Sequence, residues 1–374
     1  MIGQFDFSQK GYVSGRGRSA VWRELPFDGK TIEPQFMMAL ETYLNWPKAV
    51  RSSKLAFMDV ASATNARSFI GSFAKGFPGN HKTPVLTVAN GDLEKTLLAA
   101  AVLNSFAFDY ALRCRLGGLS LGWFILEESP FPSAIAKKNR TQLVISSCRL
   151  SLLHRLFAPD WLKLKALYPD LAAQEWKKWW AVTESDRLRL RTEIDAICAD
   201  QYGLDPDDFD WMLHEDSTDP KGFHRVDKRL PFRERLTGLA AAAFRALKEG
   251  KWSAESAAKL SNDEFFEIIG IPELTAGPEP LIRKRTGCHV WKPEAFGKDD
   301  PRHGWTWDHC WQDAVALLGS DEAVQKYIEG DSKPANGGVD QPQPDDDGPK
   351  DLFGNRIPTD LFGSELRTKP RKKK

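Results

Sequence analysis

The sequence predicts an α+β protein, in which a small mixed α/β unit precedes a mainly α-helical region. Two observations carry this prediction. Short apolar stretches between turn residues occupy roughly the first 85 residues, a pattern typical of short strands. Longer segments with helical spacing and capping residues dominate further along the chain. We place the first domain at residues 1–140, the helical domain at 141–330 and a disordered tail at 331–374.

The first unit contains two predicted strands and one long predicted helix. Residues 54–60 and 83–88 are short apolar runs of the kind found in strands. The helix is predicted to begin after Asp92, whose side chain suits an N-cap, and to end at Gly117 and Gly118. The sequence therefore indicates strands followed by one uninterrupted helix of more than 20 residues.

The second region shows four further helical segments. Residues 141–157 and 184–201 have helical spacing, and Thr183 suits the N-cap of the second segment. Pro206 favours the first turn of a short helix that reaches Leu213. The Ala-rich helix over residues 233–249 is predicted to stop at Gly250. Beyond residue 330, six Pro and five Gly in 44 residues predict disorder.

Composition predicts a packed protein in a reducing compartment. Hydrophobic residues make up 41% of the 374 residues and charged residues 28%, which is ordinary globular usage. The longest apolar run, residues 97–103, is far shorter than the ~20 residues that cross a bilayer. The opening MIGQFDFSQK has no apolar segment of a secretory signal. Five cysteines without a CxxC pair argue against a disulfide framework, so we expect a cytoplasmic protein.

The net charge of +1 hides a division along the chain. Residues 1–150 carry 18 Lys and Arg against 11 Asp and Glu, a balance of +7, whereas residues 151–330 carry 25 against 32, a balance of −7. A basic surface raises the local concentration of phosphate chains. The first half is thus predicted to face a polyanion, and the acidic half a partner protein or solvent. The alternative is an uneven distribution of solvated charges.

Residue types suited to DNA recognition cluster in the basic half. Arg can bind phosphate or the edge of guanine, Asn can bind adenine, and Lys can bind phosphate. Glycines between Arg16 and Arg18 allow the backbone to approach a ligand closely. The predicted DNA-binding residues are Arg16, Arg18, Trp22, Arg23, Lys54, Asn65, Arg67, Lys75, Asn80, His81 and Lys82. A solvated Gly-rich turn is the alternative interpretation of the segment around Arg16 and Arg18.

Two apparent catalytic or metal signals are discounted. The ESPFP segment at residues 128–132 lacks the tandem prolines of a base-binding motif and is predicted to be a strand-exit corner. Cys and His residues near residues 288–310 have the types that bind zinc, but adjacent side chains usually point apart, so a Trp-rich core is favoured there. No nucleotide-binding, metalloprotease or nucleophile-elbow motif occurs. We therefore predict no catalytic residue, metal or cofactor for this chain.

Several segments, in their order, resemble the C-terminal half of gamma-class N6-adenine DNA methyltransferases from restriction-modification and phage-defence systems. MIGQFD with Tyr12 resembles the exit from the methyltransferase domain. KLAFMDVASATNARSFIGSF resembles the start of the target-recognition domain, and AAVLNSFAFDYALR with ESPFP resembles its later helix and exit. RLRTEIDAICADQYGL, DDFDWML and DPKGFHRVDKRLP resemble the helical region that follows. The resemblance covers residues 1 to about 330 and implies a target-recognition-like first domain.

The chain departs from this family in two respects. It contains neither the AdoMet-binding Gly-rich loop nor the Asn-Pro-Pro-aromatic motif, so AdoMet is expected only in a catalytic partner. Met58 stands where the family often has Arg. Asn104 and Ser105, which match the family's Leu-Asn-Ser helix, are interpreted as structural residues.

The resemblance implies the DNA-recognition part of an adenine-specific methyltransferase. Such a part would bind double-stranded DNA and act with a separately encoded catalytic methyltransferase subunit, or be a truncated fragment. Two other functions stay open: a Mg²⁺-dependent nuclease or other phage-defence enzyme with an unrecognised active site, and a protein-interaction subunit. The second alternative is indicated by the repeated DLFG at residues 351 and 360.

Overall fold

The structure is a computed structural model of the chain. It describes residues 3–5, 22–24, 38–45, 52–63, 65–88, 91–214, 223, 235–270 and 300–330. Predictions for Arg16, Arg18, residues 288–299 and the tail from residue 331 fall outside the described residues. The strands are β1 (Gly3–Phe5), β2 (Trp22–Glu24), β3 (Lys54–Phe57), β4 (Gly71–Ala74) and β5 (Val85–Leu86). The first five described helices are α1 (Leu40–Asn45), α2 (Leu93–Leu103), α3 (Phe106–Arg115), α4 (Trp123–Glu127) and α5 (Lys137–Ser151).

The remaining helices lie after α5. They are α6 (Ala158–Leu167), α7 (Glu184–Gln201), α8 (Pro206–His214), α9 (Leu236–Lys248), α10 (Ala254–Ala257), α11 (Asn262–Ile268), α12 (Trp307–Leu318) and α13 (Asp321–Glu329). The predicted α+β class is confirmed, because a helical majority accompanies two small antiparallel sheets.

A three-stranded antiparallel sheet lies at the centre of the first unit. Its strand order is β4-β3-β5, and Leu55 of β3 pairs with Phe73 on one side and Leu86 on the other. Leu55 and Phe73 are buried, as is Phe57 at the end of β3. Strands were predicted at residues 54–60 and 83–88, and β3 and β5 confirm them with shorter bounds. The pairing of β1 with β2 forms a separate two-stranded sheet.

The single long helix predicted after Asp92 is wrong, because the chain forms α2 and α3 with a 68° bend between them. Asp92 does cap α2, through a hydrogen bond from the Lys95 N–H. Ser105 caps α3 by accepting from the Phe108 N–H. Asn104 uses its side-chain oxygen to accept from the Gly71 N–H of β4 at 3.0 Å. The bend therefore joins the helix pair to the sheet.

The segment that follows α4 also differs from its prediction. Residues 128–132 were predicted to follow a strand, but they follow the short helix α4. The Tyr202 hydroxyl donates to the Pro130 carbonyl in this segment at 2.8 Å. Helix α5 begins and ends earlier than the predicted 141–157 segment, and a 3-10 turn covers Arg155–Phe157.

Helix α7 organises the helical region. Its bounds match the prediction, and the Thr183 hydroxyl caps it by accepting from the Asp186 N–H. Arg189 is 5% exposed and pairs with Glu193 at 2.7 Å. The Arg189 guanidinium also donates to the carbonyls of Ala257 and Leu260. The alternating Arg-Leu run of α7 thus places one charged side chain in the interior, where it fixes the neighbouring helices.

Helices α12 and α13 form a pair that packs against α6. The ring centroids of Trp307 and Trp161 lie 6.4 Å apart, and the Cys310 thiol donates to the Ala158 carbonyl. Asp300, which precedes α12 in the sequence, forms an ion pair with Lys178 at 2.8 Å. Cys310 and the nearby Trp side chains therefore take part in packing.

The described core continues across residue 140. Helices α2 and α5 pack against each other, and buried residues from β3 to α13 belong to one hydrophobic cluster. Within the described residues, no single helix is long and apolar enough to span a bilayer; α2 and α3 meet that test only as a bent pair.

Candidate nucleic-acid interface

The buried carboxylate of Asp59 joins three segments at the end of β3. Its Oδ2 accepts from the Lys82 Nζ at 2.8 Å, and its Oδ1 accepts from the Ser120 hydroxyl at 2.7 Å. Its backbone N–H donates to the Lys82 carbonyl, and its carbonyl accepts from the Leu121 N–H. Hydrogen bonds from Lys82 and Ser120 lower the pKa of the Asp59 carboxyl. Asp59 is therefore an ionised anchor for the loops at residues 76–83 and 117–122.

The 76–83 loop carries three of the predicted DNA-binding residues, and all three are exposed. The Asn80 side-chain oxygen accepts from the N–H groups of Lys82 and Thr83 at 2.8 and 3.0 Å. A bidentate contact with adenine needs that oxygen as an acceptor. The structure therefore assigns Asn80 to shaping the turn instead of reading adenine. His81 lies close enough to Asp59 to contribute to the lowering of its pKa.

Lys82 keeps its predicted capacity for a phosphate contact. Its side chain is 55% exposed although it pairs with Asp59. An ammonium group has three N–H donors. A phosphate oxygen can thus bind Lys82 in addition to the Asp59 carboxylate.

A second loop lies before β4, and its described residues, 62–63 and 65–70, are hydrogen-bonded to α3. Asp109 is fully buried and accepts from the N–H groups of Ser68 and Phe69, both at 2.8 Å. Arg113 pairs with Asp109 and donates to the carbonyls of Ala63 and Asn65. The Asn65 residue is exposed. The loop therefore presents Asn65 to solvent from a fixed backbone.

Arg67 in this loop is a structural residue. Its Nη2 lies 2.7 Å from Asp195 Oδ2, and its guanidinium carbon lies 3.2 Å from the centroid of the Phe106 ring. Asp195 is 1% exposed and also accepts from the Phe106 N–H. Burial raises the pKa of Asp195, while Arg67 acts in the opposite direction. The predicted base contact by Arg67 is replaced by this ion pair with α7.

Lys54 and Lys75 likewise have interior partners instead of the predicted phosphates. Lys54 is 1% exposed, and its Nζ donates to the Tyr43 hydroxyl at 3.1 Å. Lys75 pairs at 2.7 Å with the fully buried Asp160, which also accepts from the Tyr327 hydroxyl. A buried carboxylate without a cation is costly, so Lys75 stabilises the fold through Asp160. Lys54 is too deeply buried to reach a phosphate at the surface.

The backbone of Trp22 and Arg23 lies in β2, where Arg23 pairs with Gln4 of β1. The structure describes no side chain at these two positions. Their predicted DNA contacts, like those of Arg16 and Arg18, stay predictions.

The sequence analysis missed several exposed apolar side chains in and near the segments that Asp59 joins. Met58 and Val60 follow β3, and the Met58 N–H donates to the Ile70 carbonyl. Val60 bridges Ser120 in antiparallel fashion. We call this set the apolar rim: Met58, Val60, Ile70, Leu119, Trp123 and Phe124, each at least 43% exposed. The signal in the sequence was the alternation after β3, in which exposed Met58 and Val60 flank buried Asp59.

No group of three or more His, Cys, Asp or Glu side chains suited to a metal ion occurs within the described ranges. Comparison of the chain with known protein families, curated proteins and solved structures finds no match.

Proposed function

We propose that this chain binds double-stranded DNA and is the recognition part of an adenine-specific restriction-modification methyltransferase. It would act in the cytoplasm with a separately encoded catalytic subunit, which would supply AdoMet and the methyl-transfer site, or be a truncated form of such an enzyme. The observation that carries the DNA-binding proposal is the Asp59 anchor. It holds exposed Lys82 and His81 on a fixed loop at the end of the sheet.

The arrangement suits a duplex for two physical reasons. Loops on a rigid scaffold are where recognition residues concentrate, because the scaffold removes much of the ordering cost of binding. Lys82 supplies positive charge for phosphate, and exposed His81 and Asn65 supply hydrogen-bonding groups for base edges. The positive balance of residues 1–150 would add long-range attraction. The methyltransferase part of the proposal is supported by the resemblance in motif order.

The test is binding of the full chain to a random-sequence duplex by fluorescence anisotropy over a salt series. Counterion release makes the slope of log K against log salt about −0.9 per phosphate contact. We expect Lys82→Ala to reduce the magnitude of this slope by about 1. The matched control is Lys251→Ala, because Lys251 is 58% exposed and also pairs with a carboxylate, that of Glu249. It should leave the slope unchanged.

Absence of binding at low salt would refute the DNA-binding proposal. If Lys82→Ala and Lys251→Ala change the salt slope by the same amount, the assignment of the DNA interface to the loop held by Asp59 is refuted. Methylation by a mixture of this chain with a candidate catalytic subunit, measured as transfer of a labelled methyl group to duplex adenine, tests the enzymatic part. No transfer beyond that of the catalytic subunit alone would count against it.

A further inference from the structure

A cavity of about 420 Å³ is lined by the segment before β3, the start of α2 and the helices α6 and α13. Its lining includes two buried polar residues, Ser53 and Asp160, and two lysines, Lys163 and Lys326. Small-molecule sites in proteins have volumes of about 300–1,000 Å³ and a few polar groups that fix the ligand. The size and the lining of this cavity therefore suit a small polar molecule.

The buried carboxylate of Asp160 is neutralised by a lysine outside the cavity lining. Its Oδ1 accepts from the hydroxyls of Ser53 and Tyr327 at 2.9 and 2.7 Å. Its Oδ2 accepts from Lys75 Nζ at 2.7 Å, and Lys75 does not belong to the described lining. Asp160 is the one carboxylate among the described lining residues, so it leaves the charge of the other lining cations uncompensated.

Those cations are Lys163 of α6 and Lys326 of α13. Within the described part of the chain, Lys163 forms no ion pair, and its Nζ lies 5.7 Å from the centroid of the Tyr327 ring. The same Nζ lies 3.8 Å from the position that a Cβ atom of Gly330 would take. Lys326 is exposed one residue before Tyr327. The two lysines therefore give the cavity two positive charges.

The carboxylates next in sequence to lining residues have partners of their own. Asp92 accepts from the Lys95 N–H as the N-cap of α2, and it forms an ion pair with Lys95 at 3.8 Å. Glu329 accepts from the Gln325 side-chain amide at 2.7 Å. Neither carboxylate belongs to the described lining, so the cavity favours an anion.

A hydroxyl at the cavity wall supplies a further hydrogen-bonding group. The Ser52 hydroxyl makes no hydrogen bond within the described part of the chain and lies against Gly91, where a Cβ atom would be 2.9 Å from Ser52 Oγ. Gly91 has a φ of 87°, a left-handed conformation that favours glycine. A hydroxyl can donate to a phosphate oxygen. Gly91 thus leaves room for this donor beside the two lysines.

We propose that the cavity binds a small molecule that carries a phosphate monoester. A phosphate monoester has about two negative charges at pH 7, which match Lys163 and Lys326, whereas each phosphate of a nucleic-acid backbone has one. Ser52 donates to the phosphate, and Asp160 accepts from a hydroxyl of the ligand, because a carboxylate has about four acceptor sites and three are occupied. This inference does not rest on the proposed function, since neither lysine belongs to the proposed DNA interface.

The experiment is isothermal titration calorimetry of the full chain with AMP, ribose 5-phosphate and inorganic phosphate. We expect AMP and ribose 5-phosphate to bind with a Kd below about 1 mM. Cyclic AMP is a phosphate diester with one negative charge and should bind about tenfold more weakly than AMP. The affinity for AMP should rise from about pH 5 to about pH 7, because the second pKa of a phosphate monoester is about 6.

Four variants test the assignment of the site. Lys163→Ala should weaken AMP binding about tenfold, and Lys163→Arg, which keeps the charge, should restore most of it. Lys165→Ala is the matched control, because Lys165 also lies on α6 with its Nζ over an aromatic ring, 4.9 Å from the centroid of Trp307, but outside the described lining. Ala323→Leu should abolish binding without any change in charge, since it fills the cavity. Circular dichroism and urea unfolding of each variant show that the fold is retained.

The outcomes separate the sources of the phosphate. The inference is overturned if none of the three phosphate compounds binds, if cyclic AMP binds as tightly as AMP, or if Lys163→Ala and Lys165→Ala have equal effects. Displacement of AMP by a duplex without terminal phosphates, lost in Lys163→Ala, would assign the lysines to the DNA backbone instead. Binding of AMP that occurs only after Asp331→Asn would assign them to a carboxylate of the chain itself. Binding of DNA with an unchanged salt slope in Lys163→Ala is expected, because the two sites are independent.

Discussion

Replacement of Asp195 by Ala tests the ion pair that holds the loop before β4 against α7. The Asp195 carboxylate accepts at 2.7 Å from both the Arg67 guanidinium and the Phe106 N–H. Asp195→Ala leaves a guanidinium that is 15% exposed without its anion and a buried N–H without its acceptor. One substitution therefore removes a charge pair and a helix contact together.

The magnitude follows from these two losses. Removing one partner of a buried ion pair costs about 3–5 kcal/mol, because the remaining charge stays poorly solvated. Partial exposure of Arg67 places the expected loss at the lower end, about 3 kcal/mol. Asp195→Asn retains an acceptor for the Phe106 N–H and loses only the charge, so we expect roughly half of that cost. Arg67→Ala combined with Asp195→Ala should cost less than the sum of the single changes.

Urea unfolding followed by circular dichroism measures these differences. The control is Asp170→Ala, since Asp170 is exposed and its removal should change stability by less than about 0.5 kcal/mol. A loss below about 1 kcal/mol for Asp195→Ala would refute the reasoning, as would additivity of the two single substitutions.

Two further predictions concern titratable groups. Burial raises the pKa of Asp300, but hydrogen bonds from Arg302 and Lys178 outweigh it and hold the pKa below its usual value of 3.8. The stability that Asp300 contributes is therefore present above pH 3.8 and is lost as the pH falls through the folded-state pKa. Asp300→Asn should flatten the acid limb of a stability profile measured by urea unfolding, and an unchanged limb would contradict this. Among the described cysteines, Cys114 is exposed, whereas burial raises the pKa of the thiols of Cys148, Cys198 and Cys310. In a Cys288→Ser variant, an aromatic disulfide reagent should therefore modify one thiol rapidly in the native protein. The additional substitution Cys114→Ser should abolish that rapid reaction. Rapid modification of the double variant would refute the prediction.

Part of the candidate site could be predicted from residue types alone. A Lys and a His in a Gly-Asn turn are exposed because their polar groups prefer water, and the structure exposes Lys82 and His81 accordingly. The apolar rim could not be found this way, because exposure of Leu119 and Phe124 depends on which neighbours cover them.

The sequence by itself determined the elements whose signals are local. Thr183 and Gly250 fixed the start of α7 and the end of α9, because caps and left-handed glycines act within one helical turn. The short apolar runs at residues 54–60 and 83–88 likewise predicted the positions of β3 and β5.

Only the tertiary structure decided the helix bend at Asn104 and the roles of the buried cations. Asn104 bonds a strand residue 33 positions earlier, and Arg67 and Lys75 pair with carboxylates 128 and 85 positions later. A lysine in the sequence has the same charge whether it will meet phosphate or a buried aspartate. Which partner it contacts depends on the packing of segments that are distant in the sequence. An unpaired buried charge is costly, so a lysine that packing buries next to a carboxylate forms an ion pair with it.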